Sequence, residues 1–373
     1  MIIAIAIETA PGETRTSATP QTVGELVRMG HEVLVSAGAG QKSLIDDDQY
    51  RQSGATVTAD EDELFRRAEV LLTVGPPPLE KAQLLDKGSV VIGMLNPSDP
   101  QGVLESLAAH GLTCFAMEAV PRIARAQSMD ALSSQANIAG YASALVAVEN
   151  LKKLVPLMMT AGGTIHPAGA LVIGAGVAGL SAIATLKRLG ALVKGIDTRP
   201  AAGEQVQSLG AKFVSMEVDQ HQAQSQEGYA RDLGEEFYKR QQEIIAPHLD
   251  KCDILICTAQ IPNRRAPVLV TEEMLGRMNP GAVVVDLAAT TGGNCSVTVP
   301  DEVRMVGTIK VLGPTNLPAR LPVHASAMYA RNVLAFLKEL IGDGEVKMDP
   351  DNEIIQQMLV ARDGKTIRKE SDE

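Results

Sequence analysis

Basic blocks, paired cysteines and an unbroken apolar span are all missing from this 373-residue chain. The formal net charge is −11, and no run of Lys and Arg offsets it. That excludes nucleic acid or an anionic membrane surface as the expected partner. Only four cysteines occur: Cys114, Cys252, Cys257 and Cys295. None forms C-x-x-C, and no histidine lies at zinc-ligand spacing from them, so no metal site is expected. Nothing suggests a disulfide framework, and a reducing compartment fits best. Cys252 and Cys257 flank the apolar run 253–256 and read as inert buried thiols. The N-terminus, Met1 to Ile7, has no basic flank and meets Glu8 at once, so it reads as a strand and not a signal peptide. Between Lys153 and Lys187 there is no Asp, Glu, Lys or Arg. Length alone would let that stretch cross a membrane. Pro156, Gly162, Gly163, Pro167 and Gly169 break it, so no membrane insertion is expected. Internal repeats and low-complexity tracts are absent.

What is present starts with a core-building composition, 45% apolar and 21% charged, at a length for which two domains are the default. The chain is organised around Ala170–Leu180 and the residues that follow. Ala170 to Ile173 reads as a buried parallel strand. Gly174, Gly176 and Gly179 fit G-x-G-x-x-G, and Val177 to Leu189 has helical periodicity. Leu192 to Ile196 is a second strand, with Asp197 at its end. Gly174 would make the tight turn, Gly176 would let backbone approach a pyrophosphate, and Gly179 would pack helix on strand. The helix start, with Val177 and Ala178, offers N–H groups and positive dipole to phosphates. A carboxylate at Asp197 can accept both ribose hydroxyls and repels a 2′-phosphate, which favours NAD(H). Arg199, two residues on, reads as a solvated loop charge.

Residues 1–116 alternate strands with helical segments. The strands are 2–7, 32–36, 55–57, 70–74, 90–93 and 112–116. The helices are 20–29, 46–53, 61–68, 79–85 and 102–109. Helix-sized pieces between strands imply right-handed crossovers and a parallel sheet. A long helix over 137–155 bridges to a second such domain, with strands at 170–173, 192–196, 212–215, 254–257, 282–286 and 308–312. The fold class is thus α/β, two doubly wound parallel-sheet, Rossmann-like domains joined by long helices. Their boundaries are 1–135 plus 315–373, and 136–314. A helix over 325–340 returns to the first domain, and Lys365 to Glu373 reads as loose. The polar stretch between Met216 and Gly234 is too long for an ordinary connection. It is a disordered insertion or a lid; Tyr229, its only aromatic residue, favours the lid.

Between the domains, residues 121–135 are dense in hydrogen-bonding groups: Arg122, Arg125, Gln127, Ser128, Asp130, Ser133 and Ser134. By composition alone this is a solvated linker. Its place after the last strand of the first domain argues for a ligand site instead, because open α/β folds bind ligands beyond strand carboxyl ends. An Arg–Asp pair there can position a carboxamide and tolerate a cationic ring.

PRIARAQSMDALSSQANIAGY (121–141) closely resembles the signature loop of the alanine dehydrogenase/transhydrogenase family, on its proton-translocating NAD(P) transhydrogenase side. MMTAGGT (158–164), VIGAGVAGLSAIATLKRLGA (172–191), EQVQSLGAKF (204–213) and GYARDLGEEF (228–237) are similar to that family as well. So are RAPVLVTEEM (265–274), VVVDLAATTGGN (283–294) and GPTNLPAR (313–320). The resemblance implies the soluble NAD(H)-binding alpha component, which passes hydride from NADH to NADP⁺ held by a partner, NADP(H)-binding beta subunit. A membrane-spanning subunit would translocate protons. It implies a homodimer, peripheral on the cytoplasmic face of the membrane through its partners. It assigns nicotinamide-site roles to Arg122, Gln127, Asp130 and Ser133. The nucleotide falls to Gly174, Gly176, Gly179 and Asp197, and Tyr229 to a mobile loop.

The competing reading within the same family is alanine dehydrogenase. Oxidising a C–N bond moves protons and needs acid–base groups. Where that enzyme's pattern carries Lys, His and Asp, this chain aligns Gly75, Met94 and Thr290. Arg15, a carboxylate-binding candidate, is retained on both sides of the family. Hydride transfer between two nicotinamide rings makes or breaks no O–H or N–H bond, so it requires position and dryness rather than proton transfer.

Overall fold

A computed structural model describes residues 1–96, 102–216, 235–261, 264–342 and 344–367. Two compact units divide the chain: residues 1–135 with 318–373, and residues 136–317. Unit 1 contributes strands β1 (Ile2–Ile5), β2 (Glu32–Ser36), β3 (Thr56–Thr58), β4 (Val70–Leu72), β5 (Val90–Gly93) and β6 (Thr113–Ala116). Unit 2 contributes β7 (Met158–Thr160), β8 (Gly163–Ile165), β9 (Gly169–Ile173), β10 (Leu192–Asp197) and β11 (Lys212–Ser215). Its remaining strands are β12 (Ile254–Cys257), β13 (Val283–Asp286), β14 (Val303–Val306) and β15 (Ile309–Leu312). The chain then re-enters unit 1 with β16 (Ile341–Gly342), β17 (Glu345–Val346), β18 (Leu359–Arg362) and β19 (Lys365–Thr366).

The two main sheets share one order. Unit 1 runs β19-β18-β6-β5-β4-β1-β2-β3, and unit 2 runs β11-β10-β9-β12-β13-β15-β14. In each, six parallel strands follow the doubly wound order 3-2-1-4-5-6, whose direction reverses between the first and fourth strands. The reason is legible in the strands themselves. Ile254–Cys257 and Val283–Asp286 are buried at every position, as strands covered on both faces must be. In unit 1, Ile3, Ile5, Val33 and Val35 face one core cluster while Ala4 and Leu34 face another, so each side of the sheet is packed. Helices start where side chains can cap them. Thr19 caps Pro20–Arg28 and Asp46 caps Asp47–Gln52.

The structure departs from the sequence reading at four places. The sheets are not purely parallel: β14 pairs antiparallel with β15, and β18 pairs antiparallel with β6. The tail expected to be loose from Lys365 instead folds back, because Lys365 pairs with Arg362 and Thr366 with Ala361 at the sheet edge; residues 368–373 lie outside the described set. Residues 158–165, in the stretch that Gly162 and Gly163 interrupt and to which the sequence assigns no strand, form a hairpin whose six strand residues are all exposed. The long helix is Ala131–Asn150, displaced towards the N-terminus from 137–155. Asp130 accepts the Ser133 N–H at 2.8 Å and starts it early. At the other end the Asn150 amide donates to the Val146 carbonyl, and Pro156 follows. Leu151 and Val155 are buried all the same, so apolar periodicity runs past the helix end. Among the described residues no helix is long and apolar enough to cross a membrane.

Candidate functional site

In unit 2, β9 ends at Ile173 and the chain turns at Gly174, which adopts φ +89°. A side chain there would be strained, and its Cβ would press on the Thr258 hydroxyl at 2.6 Å and the Ala259 N–H at 3.1 Å. Gly179, in the first turn of the helix Val177–Arg188, leaves no room at all: a Cβ would overlap the Gly174 carbonyl. Gly176 is different. Its backbone is extended, and a Cβ there would meet nothing within 4 Å. Among the described residues nothing demands glycine at 176, whereas a pyrophosphate lying on the backbone would. Among the described residues no side chain caps the helix at Gly176, so the start of a twelve-residue helix presents uncapped N–H groups of the kind that suit an anion. The cradle therefore fits a dinucleotide, with Val177 and Ala178 at the helix start.

Asp197 ends β10 and is buried at 6% exposure. Its Oδ2 accepts the Ala175 N–H at 2.7 Å, so the carboxylate ties the second strand to the glycine turn. The expectation for Arg199 is wrong. Its side chain does not stand in solvent but grips Asp197 with a fork, Nε to Oδ1 and Nη2 to Oδ2, both at 2.9 Å. The Arg199 N–H adds a further bond to Oδ1 at 2.8 Å. The hydrogen bond to Asp197 holds the guanidinium pKa above its ordinary value.

Unit 1 has its own cluster past the strand ends. Glu8 follows β1 and reaches the backbone after β4, accepting the Val74 N–H at 2.5 Å and the Gly75 N–H at 3.3 Å. Burial pushes its pKa up to about 7 against these bonds, with Glu13 adding to the rise and Arg15 opposing it. Arg15 is buried and committed, forked to Glu13 at 2.7 and 2.8 Å and bonded to Gln135 at 2.9 Å. Glu118, after β6, also has its pKa raised to about 7 by burial, and its Oε2 has no hydrogen-bond partner among the described residues. Gly75 and Met94 lie half-buried in this region, and Thr290 is exposed in unit 2.

The segment 121–135 is not a uniform linker. A 3₁₀ helix over Ala124–Met129 buries Ala126 and Met129. Arg125 is bonded to Asn352 and ion-paired with Glu339 at 3.5 Å. Asn332 donates to the Ser128 carbonyl and accepts from the Ser134 hydroxyl, both at 2.7 Å. Gln135 donates to the Ala325 carbonyl. These contacts pin the segment to the helix Pro322–Leu340. Arg122 and Gln127 are left exposed, with Asp130 and Ser133 half-buried beside each other. The structure thus sorts one hydrogen-bonding stretch into anchors and outward groups. Asp130 also serves as the cap of the long helix.

Two family models match this chain. The N-terminal domain of alanine dehydrogenase/PNT matches residues 4–139, and the C-terminal domain of the same family matches residues 143–369. The chain belongs to the alanine dehydrogenase/PNT family. Among its relatives, an NAD(P) transhydrogenase subunit alpha chain of Rhodospirillum rubrum is 42% identical over 376 residues, covering 98% of each chain. The alanine dehydrogenase of Mycolicibacterium smegmatis is 28% identical over 378 residues, covering 98% of this chain and 95% of its own. The crystal structure of a transhydrogenase from Sinorhizobium meliloti superposes with a TM-score of 0.86 at 40% identity, covering 98% of this chain and 99% of its own.

Several site-building residues of this alanine dehydrogenase/PNT chain are not evident from the motif alone. Thr258, just past β12, donates its hydroxyl to the Gly174 carbonyl at 2.9 Å. Asn294 is fully buried and holds the exit of β12, accepting the Ala259 N–H and donating to the Ala259 and Pro267 carbonyls. Gly140 on the long helix lets the Ala178 backbone come so close that a Cβ would overlap it. The Gly-Gly-Asn run 292–294 and the lone glycine inside a long helix were the available signals. Tyr229, the lid expectation over 217–234 included, lies outside the described residues.

Proposed function

We propose that this chain is the NAD(H)-binding component of a proton-translocating nicotinamide nucleotide transhydrogenase. When bound, NADH supplies a hydride at nicotinamide C4. The acceptor is NADP⁺ on a partner subunit, and proton translocation belongs to membrane-spanning subunits. The chain works as a homodimer, attached to the cytoplasmic face of the membrane only through those partners. The full-length likeness to a transhydrogenase alpha component at 42% identity carries the reading, and the glycine cradle of unit 2 supports it.

In this assignment Gly174, Gly176 and Gly179, with the helix start at Val177 and Ala178, hold the pyrophosphate. Asp197 takes the adenosine ribose. Arg122, Gln127, Asp130 and Ser133 orient the nicotinamide carboxamide, and Tyr229 closes over the ring. None of these groups needs to move a proton. Their work is to hold two rings in a near-attack geometry and keep water out. Among the described residues of unit 1, burial raises the pKa of Glu8 and of Glu118 to about 7. Glu8 is turned onto backbone N–H groups, so it does not restore the acid–base set that alanine oxidation needs.

One assay separates the readings. The purified chain is mixed with NADH, an oxidised NAD analogue and the NADP(H)-binding partner, and separately with alanine and NAD⁺ alone. Analogue reduction that requires the partner is expected. Deamination of alanine without a partner would overturn the assignment. Within it, Asp130→Asn and Arg122→Ala should slow hydride transfer far more than they weaken binding of the adenosine half.

A further inference from the structure

The carboxylate of Asp197 is already fully used. A carboxylate has about four acceptor sites, and four N–H donors fill them. Two are backbone, Ala175 on Oδ2 and Arg199 on Oδ1. The other two are the guanidinium of Arg199, one donor per oxygen at 2.9 Å each. Asp197 is 6% exposed, so it cannot exchange these donors for bulk water at no cost. A ribose diol offers two O–H donors, one for each oxygen. It can enter by replacing the two guanidinium donors one for one, while both backbone donors stay. The side chain of Arg199 is 24% exposed and therefore has a way out.

Resting on the proposed NAD(H) site, we infer that Arg199 is an affinity- and selectivity-determining latch, which competes with the adenosine ribose for Asp197. The exchange gives up a bidentate ion pair and returns bonds from uncharged hydroxyls to the same carboxylate, so it takes affinity away from NADH. The same guanidinium neutralises the carboxylate that would repel a 2′-phosphate, and so blunts rejection of NADPH. Both effects have the same origin and the same predicted sign. Losing Arg199 should tighten NADH binding and sharpen the preference for it. A product that must leave quickly for the next turnover is served by such a weakened hold.

The test measures binding alone, on the intact purified chain, without a partner subunit. Kd values for NADH and NADPH are obtained by titration calorimetry for the wild type, Arg199→Ala, Arg199→Lys and Asp197→Asn. Thermal melting checks that each variant is folded. Arg199→Ala is expected to bind NADH about tenfold more tightly, ~1.4 kcal/mol, and to bind NADPH no better, so that the NADH preference widens about tenfold. Arg199→Lys, a cation without the fork, should fall between wild type and Arg199→Ala. Asp197→Asn should bind NADH more weakly than wild type and lose the preference. NADH binding by Arg199→Ala that is equal to or weaker than wild type would overturn the latch. A wild-type chain that binds NADH not at all would instead overturn the site itself, so the two failures are told apart. If Arg199→Ala unfolds, Arg199→Lys decides alone, and an NADH affinity no higher than wild type would sink the idea.

Discussion

The two units place the same sheet order around the same switch point and fill it differently. In unit 1 the crevice between the first and fourth strands is crossed by a side chain: Glu8, after β1, caps the Val74 and Gly75 N–H groups after β4. In unit 2 the equivalent crevice is crossed by a single short residue, Thr258, whose N–H also donates to the Ile173 carbonyl at 2.8 Å. Gly174 follows β9, Thr258 follows β12, and the Thr258 hydroxyl bonds the Gly174 carbonyl directly. What remains above unit 2 is a glycine with open space and a helix start without a cap. One crevice is bridged by a carboxylate, and beside the other the helix start carries no side-chain cap among the described residues. The fold supplies the same position in both cases, and the residues past the first strand, Glu8 in one unit and Gly174 in the other, fill it differently.

That contrast can be broken at chosen residues. The largest effect is expected from Gly179→Ala, whose Cβ would overlap the Gly174 carbonyl. Forcing the helix off the strand should cost at least about 3 kcal/mol in urea unfolding and abolish NADH binding. Next comes Gly176→Ala. Its Cβ meets nothing within the chain, so the melting temperature should hold while NADH binding weakens at least tenfold, read by calorimetry. Equal affinity would mean that no pyrophosphate lies on Gly176.

In unit 1 the expected effect is one of pH. Burial raises the Glu8 pKa from 4.5 to about 7, so the folded state holds this proton more tightly than the unfolded chain. The stability from that proton is complete below about pH 4.5 and is lost as pH rises through about 7. At 1.36 kcal/mol per unit, the loss is on the order of 3 kcal/mol at most. Glu8→Gln should flatten the fall in melting temperature between pH 5 and pH 8; a slope identical to wild type would remove Glu8 as its source. Smallest of all is Gly75→Ala. Its Cβ would meet only the Glu8 carboxylate, at 3.9 Å, so stability should stay within about 0.5 kcal/mol and NADH binding should not change. The gap between Gly75 and Gly179, both beyond the end of a parallel strand, measures the difference between the two crevices.

Much of this was legible in the chain itself. Strands buried on both faces are continuous apolar runs, so β9, β12 and β13 stand out without a structure. The spacing of Gly174, Gly176 and Gly179 before a helical pattern gives the turn, and Asp197 appears at the end of the next strand. The outward density of 121–135 was visible too, although its division was not. The hold on Arg125 depends on Glu339 and Asn352, some two hundred residues later. Period and spacing carry no information about such partners. The antiparallel return of β18 onto β6 escaped for the same reason, since the short apolar run 359–361 becomes a strand only because the edge of β6 is there to receive it.

Local pattern set the elements and their order, because burial on one or two faces imprints itself on neighbouring residues. The protonation of Glu8, the engagement of Asp197 by Arg199 and the openness above Gly176 were decided only when distant backbone came together. Those properties depend on desolvation and on donors that arrive through space, and neither is written in the order of the residues.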